Sequence, residues 1–161
     1  MKKVRGFTLI ELMIAITVLA VLLGIGVPSF RSIIQNNRAT STTNDVVAAF
    51  QVARSEALKR RQNVTVCRRN ATGTACENGT NWAPGWMVIA GGTPIQVWGA
   101  PQGNPAITGP NAGVTYTPTG LTTLVAQASV TVAFPGCTGD QQRTVSIAPT
   151  GRLNTTRTNC P

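Results

Sequence analysis

From Phe7 to Val27 the chain runs for 21 residues with a single charge, Glu11, in an otherwise apolar stretch. As a helix that run spans roughly 31 Å, close to the ~30 Å hydrocarbon core of a bilayer. It is long enough to cross a membrane once, and the rest of the chain holds no second apolar run of that length. Lys2, Lys3 and Arg5 precede it, so the positive charge predicts a cytoplasmic amino end and export of the residues beyond the run. A cleaved secretory signal has a shorter apolar core of ~7 to 15 residues and ends in a small-residue site. Here the longer run leads into "VPSFRS" instead.

The part beyond the run has the size of one domain. The whole chain carries a formal charge of +9; setting aside Lys2, Lys3, Arg5 and Glu11 leaves 11 basic and 4 acidic residues, a surplus of +7. That surplus favours polyanions such as nucleic acid, or acidic lipid headgroups, as partners. All four cysteines, Cys67, Cys76, Cys137 and Cys160, lie in the exported part. An even count there predicts two disulfides made in an oxidising compartment, with three connectivities open. Pairing Cys67 with Cys76 and Cys137 with Cys160 is favoured, because each pair closes a local loop dense in Gly, Thr and Asn. A metal site is the competing reading; the chain has no histidine and no C-x-x-C spacing.

A lone carboxylate inside a spanning helix costs about 2.5 to 3.5 kcal/mol on insertion scales, so it calls for a partner. If "MKKVRG" were removed, Phe7 would present a positive α-amino group that a neighbouring copy's Glu11 could neutralise within the bilayer. The stretch "GFTLIELMIAITVLAVLLGIGVPSF" resembles the class III signal of type IV pilins and type II secretion pseudopilins: a basic leader ending in Gly6, then Phe7, then Glu11 at the fifth mature position. The resemblance implies cleavage between Gly6 and Phe7 by prepilin peptidase, N-methylation of Phe7, and packing of Glu11 against a neighbour's terminus in a filament. It also implies partners among major and minor pilins and the inner-membrane pilus assembly machinery. The implied location is a single pass through the inner membrane with a periplasmic domain, then the extracellular pilus.

Gly24, Gly26 and Pro28 are expected to interrupt the helix where it leaves the bilayer. Helical spacing then resumes: Val46, Phe50, Ala53 and Ala57 fall at i, i+4, i+7 and i+11, with Val47 and Leu58 alongside, a stripe suited to packing on a sheet. Lys59, Arg60 and Arg61 crowd the end, where the helix dipole favours cations. From Asn63 the pattern turns to short β-like runs separated by Gly, Pro, Asn and Thr. Candidate strands are "NVTVC", "GWMVI", "PIQVW", "VTYT", "SVTVAF", "RTVSIA" and "GRLN", with a hairpin turn at "PTG". Trp82, Trp86 and Trp98 are candidate base-stacking platforms, but core positions suit them better.

A long helix followed by an antiparallel sheet is the α+β architecture of pilins, and the second half resembles the GspH/FimT group. The matching stretches are "VARSEALKRRQNVTVC", "GWMVI" and the closing "RTVSIAPTGRLNTTRTNC". The resulting division is a leader at 1–6, a transmembrane helical part at 7–28, an amphipathic part at 29–62 and a β-rich domain at 63–161. The group contains minor pilins, some implicated in DNA uptake during transformation, and minor pseudopilins of type II secretion.

Acid–base catalysis ordinarily uses a histidine or a carboxylate pair. The acids Glu11, Asp45, Glu56, Glu77 and Asp140 are scattered, and no phosphate-binding or dinucleotide fingerprint occurs. No catalytic residue, metal ligand or cofactor is therefore expected. The basic residues point to binding instead. Arg143, Arg152 and Arg157 lie in a tail with no acidic residue after Arg143, and an arginine fork suits phosphate oxygens. DNA-binding members of the FimT group carry a carboxy-terminal G-R-x-R motif; the resemblance assigns its first two positions to Gly151 and Arg152. Here Asn154 holds the second arginine's position, and the next arginine is Arg157. Arg68 and Arg69 beside Cys67 form a secondary patch. The expected function is a minor pilin holding double-stranded DNA by its backbone, with a subunit that only primes pilus assembly, or a secretion pseudopilin, as the alternatives.

Overall fold

A computed structural model describes residues 7–161 and divides the chain into two compact units, one ending at Asn36 and the other running Asn37–Pro161. One helix, α1 (Leu9–Arg60), contributes to both. It stays helical through Gly24, Gly26 and Pro28, so the expected interruption is absent. Pro28 leaves one hydrogen bond of the helix unmade, the one that would have run to the carbonyl of Gly24. The helix stops at Arg60 because Arg61 takes the left-handed conformation, φ +54°. The expected boundary at residue 62 is thus two residues long.

Eight strands succeed the helix: β1 (Val64–Arg68), β2 (Trp86–Ala90), β3 (Thr93–Trp98), β4 (Ala106–Thr108), β5 (Val114–Tyr116), β6 (Ala128–Ala133), β7 (Gln142–Ile147) and β8 (Leu153–Thr158). They form two four-stranded antiparallel sheets, ordered β3-β2-β1-β5 and β4-β6-β7-β8, where the sequence suggests one. β4 has no counterpart among the candidate strands, because three residues carry no periodicity and its identity comes from pairing with β6. The candidate strand "GRLN" is displaced: Gly151 and Arg152 are in the turn, and the strand extends to Thr158. The turn at "PTG" closes through Gly151 N–H to Ala148 O, 2.8 Å, and Ala148 N–H to Arg152 O, 3.0 Å.

Within the second unit a single core joins Val46, Phe50, Ala53 and Ala57 of α1 to Val64, Val66, Val88 and Tyr116 of the first sheet. Val130, Val132, Val145 and Ile147 of the second sheet complete it. The alanines of the helical stripe let both sheets approach closely. Leu58, expected on that stripe, is exposed. Trp82 and Trp86 are buried, and Trp86 stacks on the half-buried Trp98 with ring centroids 6.5 Å apart, so none stands free as a base platform.

Disulfides join Cys67 to Cys76 and Cys137 to Cys160. The second ties the end of the chain to the β6–β7 loop, where Cys160 N–H also donates to Gly139 O at 2.8 Å. Replacing both Cys137 and Cys160 by serine is expected to lower stability by about 3 kcal/mol from the loop entropy returned to the unfolded chain. Thermal unfolding of the full chain in non-ionic detergent reads this, and an unchanged midpoint would refute it.

Candidate nucleic-acid interface

The β7–β8 register decides which arginines can act together. Arg143 lies opposite Arg157, Val145 opposite Thr155 and Ile147 opposite Leu153, so these residues share the face of the sheet that carries the core. Gln142, Thr144 and Ser146, with Thr158, Thr156 and Asn154 opposite them, share the other face. Arg157 and Asn154 therefore point to opposite faces of β8, and Arg157 does not take the place of the missing second arginine. Arg152 and Arg157 are both exposed, five residues and about 17 Å of extended chain apart.

Arg143 is only 5% exposed. Its Nη1 donates to the carbonyls of Asp140, Gln141 and Gln142 at 3.1, 3.2 and 3.4 Å. Burial first, and then the nearby Arg157 charge, lowers its pKa; it holds the β6–β7 loop. The expectation that Arg143 faces phosphate is thereby corrected: pulling its guanidinium out would strand three carbonyls. The secondary patch is also occupied. Arg68 pairs with Glu77 at 3.6 Å and bonds to Asn78 O at 3.3 Å, and Arg69 Nε donates to Pro84 O at 2.9 Å. Both arginines brace the loop closed by Cys67–Cys76. At the end of α1, Glu56 pairs with Arg60 and Lys59 and so offsets part of that charge. The Arg60 hydrogen bond is the main cause of a lowered Glu56 pKa.

The hairpin remains uncommitted. Arg152 lines an open cavity of about 320 Å³ on the outer side of the sheet together with Gln127, Ser146 and Asn154, all neutral donors. Across the hairpin, Arg54 of α1 reaches Gly151 O through Nη1 at 3.4 Å. Arg54 is not among the residues that the sequence singles out, although it follows buried Phe50 by four residues and precedes buried Ala57 by three. That spacing marks the rim of the apolar stripe.

The other site expected from the sequence lies at the start of α1. Gly6 is outside the described residues; Phe7 is exposed. Thr8 and Glu11 bond reciprocally, Glu11 N–H to Thr8 Oγ1 at 3.3 Å and Thr8 N–H to Glu11 Oε2 at 3.5 Å. This is a capping box, with Thr8 as the cap and Glu11 three residues on. Glu11 thus has a partner inside its own chain besides the one expected on a neighbour. Among the described residues no cluster of His, Cys, Asp or Glu is suited to a metal ion.

Residues 42–151 match the family described as Type II transport protein GspH, and residues 1–27 match the prokaryotic N-terminal methylation motif. Two crystal structures of the type IV minor pilin FimU of Pseudomonas aeruginosa are similar in fold. One has a TM-score of 0.59 at 20% identity, covering 78% of this chain and 90% of that one. The other has a TM-score of 0.58 at 19% identity, covering 76% and 99%. The architecture is therefore that of type IV pilins. No curated protein sequence matches the chain.

Proposed function

Since the chain belongs to the GspH family and begins with an N-terminal methylation motif, we propose that it is a minor type IV pilin that binds double-stranded DNA without sequence preference. Prepilin peptidase cuts after Gly6, Phe7 becomes the methylated terminus, and the apolar half of α1 holds the chain in the inner membrane until it joins a filament. The carrying observation for DNA is the hairpin: Arg152 is exposed and uncommitted, flanked by neutral donors, with no carboxylate lining its cavity. β8 is an edge strand of its sheet. A duplex lying along that edge meets Arg152 at one end and Arg157 about 17 Å away, roughly five phosphates along one strand at 3.4 Å each.

The test is a titration of the full chain in non-ionic detergent with mixed-sequence duplex DNA at about 50 and about 200 mM salt. Binding is expected to fall with salt, and Arg152→Ala to weaken it on the order of tenfold and reduce the slope of log affinity against log salt by ~0.9. No binding at low salt by the folded chain would leave a filament-building subunit without a DNA role.

A further inference from the structure

A second cavity, of about 260 Å³, opens on the α1 side of the hairpin. Its walls come from Phe50, Gln51 and Arg54 of α1, Tyr116 of β5, and Gly151, Arg152 and Leu153. At that size it falls below the roughly 300 to 1,000 Å³ of pockets for whole small molecules, and it has room for a group rather than a nucleoside. Two arginines are among its lining residues and no Asp or Glu is. Arg54 spends one of its five N–H donors on the long bond to Gly151 O, and among the described residues it makes no ion pair. Two like charges beside one cavity repel, and an anion between them turns that repulsion into attraction.

The backbone is shaped to bring the hairpin against Tyr116 and α1. Gly151 has φ +77°, and a Cβ there would lie 2.6 Å from Gly120 O and 3.0 Å from the Tyr116 ring. Only a residue without a side chain lets the hairpin sit this close to Tyr116 and α1. The Tyr116 hydroxyl is buried with no hydrogen-bond partner among the described residues. Burial pushes its pKa up to about 12 even though the Arg54 charge pulls the other way, so the phenol stays protonated.

We propose that this cavity seats one phosphate group of a nucleic-acid backbone, gripped from α1 by Arg54 and from the hairpin by Arg152. The source of the phosphate rests on the DNA reading given above; the anion seat itself does not. Arg54 then supplies a second cation beside Arg152, from the α1 side of the hairpin.

Tyr116 is the chain's one tyrosine, so 3-fluorotyrosine incorporated into the full chain gives a single fluorine NMR signal at the cavity wall. The experiment adds inorganic phosphate and, separately, short duplex DNA to the labelled chain in non-ionic detergent, with Arg54→Gln and Arg152→Gln alongside. The signal is expected to move with both ligands. Arg54→Gln should abolish the phosphate response and weaken DNA binding about tenfold. A signal unmoved by DNA that demonstrably binds would overturn the seat and leave the DNA reading standing. An unmoved signal in molar-range phosphate would overturn it as well. A phosphate response lost in both variants, with no DNA bound at low salt, would uphold the seat and sink the DNA reading.

Discussion

Glu11→Val is expected to leave the chain folded and in the membrane, yet absent from filaments. In the single chain the Glu11 carboxylate accepts from Thr8 N–H while Thr8 Oγ1 accepts from Glu11 N–H. Part of the cost of placing a charge in the bilayer is thereby offset by capping, and no other chain is required. In a filament the proposed partner is the ammonium group at Phe7 of a neighbour. Removing one member of a buried ion pair costs about 3 to 5 kcal/mol, because the other is left uncompensated. At ~1.4 kcal/mol per tenfold, incorporation should drop by roughly two to three and a half orders of magnitude. Valine makes the helix more apolar, so membrane insertion itself should not suffer. The readout is the fraction of the chain in sheared filaments against the membrane fraction. Thr8→Ala removes the cap but not the carboxylate, and should still enter filaments. Parental incorporation of Glu11→Val, or loss of both variants together, would show that Glu11 acts as a helix cap rather than as the assembly contact.

Sequence periodicity locates what is buried better than it locates what is free to bind. The stripe Val46, Phe50, Ala53 and Ala57 is fully buried, as are Val130, Val132, Val145 and Ile147. Regular spacing reports burial directly, because one face meets the core. The strands likewise stand within a few residues of their expected places, save β4, which exists through its pairing alone. The arginines are harder to sort. A string of Arg143, Arg152 and Arg157 reads as one cluster, but strand parity decides faces. Arg143 falls on the buried phase of β7, with Val145 and Ile147, and a parity count from those valine and isoleucine positions is the signal that marks it. Arg157 can be assigned a face only through its pairing with Arg143. Arg54 belongs to a different element from the tail, and only the tertiary fold places it at Gly151. Gly24 and Pro28 show the converse error: each discourages a helix locally, yet α1 runs through both.

Gly151→Ala is expected to cost stability and binding together, and the two losses have one cause. At φ +77° any Cβ carries the left-handed penalty of ~1 to 2 kcal/mol. Contact at 2.6 Å with the Gly120 carbonyl adds overpacking of ~1 to 3 kcal/mol, because backbone on both sides leaves nothing flexible to yield. The sum, about 3 kcal/mol, should lower the thermal midpoint by on the order of 10 °C for a domain of this size. Gly139 provides the control. It also has a positive φ, +58°, but nothing lies within 4 Å of a Cβ built there, so Gly139→Ala should show the conformational penalty alone. The hairpin can relieve the clash only by moving away from Gly120 and Tyr116, and Arg152 moves with it. DNA affinity should therefore fall about as far in Gly151→Ala as in Arg152→Ala, measured below both midpoints, whereas Gly139→Ala binds like the parent. Equal midpoints for the two glycine variants would mean that the close approach at Gly151 is not what sets the hairpin. A destabilised Gly151→Ala that binds DNA at full strength would separate hairpin position from binding and remove the glycine from the site.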